Sequence, residues 1–117
     1  MKKLILTGML IILGTFAVSA QDLPSIRIVN NTGYTIFFLH ASPSSDEFWS
    51  EDLLEDDVLE NGQTFTYQLP QSLSEVSVYD ILLEDEDGDS YYKWRVTLTN
   101  NARIVFTQDD LDAEDDG

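Results

Sequence analysis

Tyr91-Tyr92-Lys93-Trp94-Arg95-Val96-Thr97-Leu98-Thr99 sets Tyr92, Trp94, Val96 and Leu98 at alternate positions, with Tyr91, Lys93, Arg95 and Thr97 between them. Successive side chains of a strand point to opposite faces, so this period of two predicts a strand with one buried and one wet face. Trp94 is then expected in the core, with Lys93 and Arg95 in solvent. Asn100-Asn101 turns the chain into Arg103 to Thr107, with Ile104 and Phe106 inward. On the other side, Val76 to Leu83 is an apolar strand, and Thr64 to Leu69 alternates until Pro70 stops it. Ser25 to Asn30 is a strand with Ile26 and Ile28 inward. It is followed by the turn residues Asn31-Thr32-Gly33 and by Tyr34 to Ala41, whose two apolar faces suggest a central, twice-covered strand.

Six short strands separated by turn signals predict an all-β fold, a small antiparallel β-sandwich or open barrel of six to seven strands. Asn61-Gly62 is a hairpin signal, and a short strand at Asp57 to Glu60 would be the seventh. The segment from Ser42 to Leu59 is the one candidate for helix. Ser44 and Glu47 have capping-box spacing, and Trp49 and Leu53 lie one turn apart, which predicts a turn or two.

Lys2 and Lys3 precede an apolar run from Leu4 that ends at Val18-Ser19-Ala20, the pattern of a secretory signal peptide over residues 1–20. The β-domain is then expected over 21–108, with 109–117 as a disordered acidic tail. A periplasmic or secreted location follows. No further apolar stretch reaches the length of a membrane span, so no transmembrane segment is expected after the leader. The 117-residue chain has 22 acidic residues against 6 basic ones, a formal charge of -16, and no Cys. That charge excludes nucleic acid as a direct partner. Without disulfides, stability must come from packing, hydrogen bonds or a bound ion.

The acids are not spread evenly. The Ser42–Gln63 connection, the turn after Leu83 and the C-terminal tail hold all of them except Asp22, Glu75 and Asp80. If the strands alternate up and down, the three segments meet at one end of the domain; a strand at Asp57 to Glu60 would instead separate the Ser42 connection from the turn. Crowded carboxylates repel one another, and a divalent cation relieves that repulsion. Calcium accepts about six to eight oxygen ligands in irregular geometry, which suits acidic loops better than the strict octahedron of magnesium. Asp85, Asp87 and Asp89 at alternate positions around Gly88 are the candidate metal ligands, assisted by Asp46, Asp52 or Asp56 from the long connection. The helix-loop-helix calcium motif is absent, since Ser90 stands where its glycine belongs. The same residues also read as a hairpin with a solvated Asp-Gly turn.

His40 is the only imidazole, and neither a nucleophile elbow nor zinc-ligand spacing surrounds it, so it reads as structural and no enzymatic activity is expected. Tyr91, Lys93, Arg95 and Arg103 form the one basic and aromatic surface, which reads as a wet face paired with local acids. Trp49 reads as the anchor of the acidic loop on the core.

Asn31-Thr32-Gly33-Tyr34-Thr35-Ile36, Ser42-Pro43-Ser44, Trp49 with Asp52-Leu53-Leu54, and Tyr79-Asp80-Ile81 leading into Asp85-Glu86-Asp87-Gly88-Asp89 resemble a group of small exported bacterial β-domain proteins of unassigned function. The resemblance implies a single exported β domain and assigns it no activity. Two readings of function stand side by side. One is an exported acidic binding module, with calcium as its ion, that contacts a protein or surface ligand through an acidic pole. The other is a structural or envelope-associated protein whose acidity is merely solvated.

Overall fold

The computed structural model describes residues 23–112; the signal peptide expected over residues 1–20 and the last five residues of the expected tail lie outside them. Six strands form in chain order: β1 (Ser25–Asn30), β2 (Ile36–Pro43), β3 (Thr64–Gln68), β4 (Val78–Asp85), β5 (Ser90–Thr97) and β6 (Ala102–Phe106). They make two three-stranded sheets, β3-β1-β6 and β2-β4-β5. Ile26, Ile28, Leu69 and Phe106 from the first sheet and its flanks pack with Leu39, Tyr79, Ile81, Leu83 and Tyr91 from the second, in one core. The fold is all-β, and the sheets do not close into a barrel.

One pair departs from the antiparallel expectation: β1 and β6 run parallel. The Asn100-Asn101 turn explains it. Asn100 Oδ1 accepts the Ser25 amide at 3.1 Å, the Asn101 amide donates to the Ser25 carbonyl at 2.7 Å, and Arg27 Nη2 donates to the Asn101 carbonyl. These bonds fix the start of β6 beside the start of β1, so the turn crosses between sheets rather than closing a hairpin.

β2 is an edge strand of its sheet, not a central one. An uncovered edge offers unpaired donors and acceptors to other chains. Here the Ser50–Leu59 segment covers it. Leu59 and Ile36 exchange two backbone hydrogen bonds at 2.8 and 2.9 Å, and the Leu53 amide donates to the Leu39 carbonyl. Asp52 Oδ1 accepts the Leu39 amide and Ser50 Oγ accepts that of Ala41. Among the described residues no helix forms between Ser42 and Leu59, because these groups bond to β2 instead of to one another. Ser44 does not cap; its hydroxyl donates to Asp80 Oδ1 at 2.7 Å.

The outlook for Trp94 also needs correcting. Trp94 is 59% exposed, whereas Tyr91 is 1% exposed and faces the core. Tyr79 pairs with Val96 and Ile81 with Lys93, so Trp94 and Arg95 together oppose the single residue Asp80. This bulge inserts one residue, and a one-residue slip exchanges the faces of everything before it. Val96 and Leu98 therefore face inward as expected, while Tyr92 and Trp94 face out and Lys93 turns in. Arg95 takes a left-handed backbone at φ 53°, held by its amide's 2.7 Å bond to Asp80 Oδ1.

A further difference concerns the tail. Gln108–Asp110 form a 3-10 turn capped by Thr107, and Leu111 bridges to Tyr91. The fold thus extends past residue 108 because Leu111 packs against the core.

The register makes a direct prediction for urea unfolding. Tyr91→Ala is expected to cost about 3 to 5 kcal/mol, as for other buried aromatics. Trp94→Ala is expected to cost no more than about 1 kcal/mol, since the ring lies on the surface.

Candidate metal centre

The turn between β4 and β5 is built around one buried carboxylate. Asp85 is 3% exposed, and its Oδ1 accepts the amides of Asp87 at 2.9 Å and Asp89 at 3.0 Å. Its own amide donates to the Asp89 carbonyl, and its carbonyl accepts from Gly88. An aspartate folding the chain onto its own side chain in this way is the mechanism of the Asx-turn. Gly88, at φ 86°, supplies the left-handed residue that closes it. Asp85 Oδ2 accepts the Tyr91 hydroxyl at 2.8 Å, and Gln108 Nε2 donates to that hydroxyl at 3.1 Å.

This geometry brings three carboxylates together. One oxygen each from Asp85, Asp87 and Asp89 lies within 4.8 Å of the others, with Asp85 buried beneath its two exposed neighbours. A carboxylate oxygen has about two acceptor directions, so Oδ2 of Asp85 keeps one after binding Tyr91. The turn therefore has the donor set of a partial hard-cation shell, three oxygens from one short segment that contains no base.

The other candidate ligands lie elsewhere. Asp46, Asp52 and Asp56 are not part of this group. Asp52 is occupied with the edge of β2, where its Oδ1 accepts both the Leu39 and Leu54 amides at 3.0 Å. Asp46 follows the end of β2, beside Pro43. β2 and β4 are antiparallel, so they finish at opposite ends of the sheet. The bridge at Leu59 has the effect anticipated for a strand at Asp57 to Glu60: it separates the start of the long connection from the Asp87 turn. The beginning of the tail does reach the turn, where the Asp112 amide donates to the Ser90 carbonyl at 2.8 Å.

The basic surface is not one surface. Lys93 lies 3.1 Å from Asp110 and 5.3 Å from the centre of the Phe106 ring, and Tyr91 is buried. His40 Nδ1 is 2.8 Å from the Ser50 carbonyl oxygen, which ties it to the loop along β2. Alternation alone did not reveal the aromatic group on the outer face of β2-β4-β5. There Tyr92 and Trp94 stack at 4.8 Å and Trp49 lies 5.7 Å from Trp94. The signal was present as Trp49, Tyr92 and Trp94, but its meaning depended on the bulge at Asp80.

The sequence matches no protein-family model and no curated protein, and no solved structure matches the chain.

Burial pushes the Tyr91 hydroxyl up from about 10 to about 12, reinforced by its bond to Asp85. The folded state therefore holds a proton that the unfolded state loses first, so stability falls as pH rises from about 10 to about 12. Below pH 10 the contribution is fully present. Tyr91→Phe is expected to flatten this fall in denaturant melts while leaving a residual slope. Burial raises Tyr67 and Tyr79 in the same direction.

Proposed function

We propose that this protein is an exported acidic β-sandwich binding module that takes calcium at the Asp85–Asp87–Asp89 turn and meets its partner through that acid-rich end. The observation that carries the reading is the convergence of three carboxylate oxygens within 4.8 Å on a turn already shaped by one of them. Two of the three aspartates are exposed, so water would supply the remaining ligands of a bound ion. An open shell of this kind belongs with the weaker calcium modules of extracellular environments, with dissociation constants on the order of 0.1 to 1 mM. The basic and apolar leader pattern supports a location where calcium is that abundant. The protein is read as a binder rather than an enzyme, and the tie between His40 and the Ser50 carbonyl supports a structural role for the only imidazole.

A second reading has its own observation. The bonds from Asp87, Asp89 and Tyr91 to Asp85 account for the turn without any ion. In that reading the acids serve solubility and the domain is structural or envelope-associated.

Melting temperature in calcium, compared with magnesium and with sodium chloride at matched ionic strength, separates the two. Binding only to the folded state adds about 2.7 kcal/mol when free calcium is a hundredfold above its dissociation constant. The calcium effect is expected to saturate, to exceed screening by matched salt, and largely to disappear in Asp87→Asn, a change at an exposed side chain. Equal responses to all three salts, unchanged in Asp87→Asn, would establish the solvated surface instead.

A further inference from the structure

At the other end of β4 from the Asp85 turn, a cavity of about 230 Å³ is lined by Trp49, Trp94 and Phe48, with Asp46, Glu47 and Asp80 among its walls. We infer that this cleft is a second binding site and that its ligand is a small soluble organic cation bearing a quaternary ammonium group. The inference does not depend on calcium binding.

The walls define the chemistry. Three aromatic rings and three carboxylates meet there, and no lining residue is basic. Aromatic faces attract cations through the ring quadrupole, and quaternary ammonium groups are commonly held in aromatic cages. The carboxylates add charge complementarity of the same sign. A neutral ligand would use the rings and leave the acids unexplained; an anion would be repelled.

The backbone presents this surface at a cost. Trp94 is 59% exposed and Phe48 80% exposed, although both would be stabilised by burial. Trp94 reaches the cleft only because of the bulge opposite Asp80, with Arg95 held in the left-handed region at φ 53°. Bulges that re-aim a side chain recur beside functional sites. The same feature positions Asp80: its Oδ1 accepts Arg95 N and Ser44 Oγ, both at 2.7 Å, which fixes the carboxylate beneath the tryptophans. The rings are also prearranged, with Tyr92 stacked on Trp94 at 4.8 Å and Trp49 against both.

A separate observation points to the same loop. The Asp46–Trp49 segment also walls an adjoining cavity of about 600 Å³. Tyr79 lines it, 1% exposed, and its hydroxyl has no hydrogen-bond partner among the described residues. Buried hydroxyls are nearly always satisfied, by protein, water or ligand.

Both tryptophans of the chain line the smaller cleft, so intrinsic fluorescence reads it directly. The full protein would be titrated with choline and, separately, with 3,3-dimethylbutan-1-ol, which has the same shape without the charge. Choline is expected to change the emission saturably and the alcohol to leave it unchanged at equal concentration. Trp94→Ala is expected to weaken choline binding roughly tenfold or more, the scale of one desolvated cation–π contact. The double variant Asp46→Asn, Glu47→Gln is expected to weaken it as well, and both variants should still unfold cooperatively in urea because the altered side chains are exposed. Equal binding of the alcohol, a response reproduced by sodium chloride at the same ionic strength, or undiminished binding by Trp94→Ala would overturn the assignment. Phosphatidylcholine vesicles carry the same ammonium beside a phosphate that Asp46 and Glu47 repel, so the protein should remain unbound to them. Co-sedimentation abolished by Trp94→Ala would overturn the soluble source in favour of a headgroup.

Discussion

The 2.8 Å bond between Asp85 Oδ2 and the Tyr91 hydroxyl ties β4 to β5 and is the centre of a polar chain that links this sheet to the other one and to the tail. A carboxylate placed in an apolar core is costly unless its oxygens are satisfied. The structure meets that demand with a continuous polar chain. Gln108 Nε2 donates both to Tyr91 Oη and, at 2.8 Å, to the Thr32 carbonyl. Thr32 in turn donates its amide and hydroxyl to Asn30 Oδ1, and Asn30 Nδ2 donates to the carbonyls of Tyr34 and Leu59. Strands β1, β4 and β5, the loop covering β2 and the residues after β6 are thus tied at one end of the sandwich. Such networks fix a unique arrangement when complete and are costly when broken. Without a single cysteine, the domain obtains much of its definition here.

The two bulges determine what this rigid frame displays. In β2 the register shifts between Ile36 and Phe38, so Phe37 and Phe38 both remain substantially exposed while Ile36 and Leu39 are buried. In the β4–β5 pair the extra residue sends Tyr92 and Trp94 outward and brings Lys93 over Phe106. Leu82, whose register partners are His40 and Tyr92, is nevertheless buried outside the main core, under the aromatic group that Trp49 completes. The sheet therefore has apolar character on both faces. One face is closed by the opposite sheet; the other is partly covered by a single loop that also carries acids.

Period-two alternation, with continuous apolar runs at Tyr34 to Ala41 and Val76 to Leu83, located all six strands to within two residues, because each has a face in the core. The Asp85–Asp87–Asp89 group was also legible, since alternate aspartates around an Asp-Gly turn must come close together. The orientation of Trp94 was not. Asp80 looks like an ordinary surface acid, and only pairing shows that its carboxylate captures the Arg95 amide and creates the bulge. The parallel β1–β6 pair was hidden for a related reason: Asn100-Asn101 has hairpin residues, but their bonds go to Ser25, far away in sequence. The loop from Ser42 suggested helix because capping-box spacing is local, whereas Ser44 bonds to β4 and Ser50, Asp52, Leu53 and Leu59 bond to β2.

The loop along β2, the bulge and the Asp85 turn share a cause in how the acids are used. Asp52, Asp80 and Asp85 each accept two hydrogen bonds at one oxygen, Oδ1: two amides for Asp52 and Asp85, an amide and a hydroxyl for Asp80. Each thereby sets a local backbone path, the loop along β2, the bulge in β5 and the turn between β4 and β5. Asp110 does the same at the 3-10 turn, where its carboxylate accepts the Thr107 amide and also meets Lys93. Bonds from amides place positive partial charge against these carboxylates and offset part of their mutual repulsion. At Asp85 the second oxygen accepts the Tyr91 hydroxyl and the carboxylate stands with those of Asp87 and Asp89, and at Asp80 the carboxylate borders the tryptophan cleft. The aspartates that shape the backbone therefore stand at the edge of both proposed sites, which makes the positions of the sites consequences of the fold rather than additions to its surface.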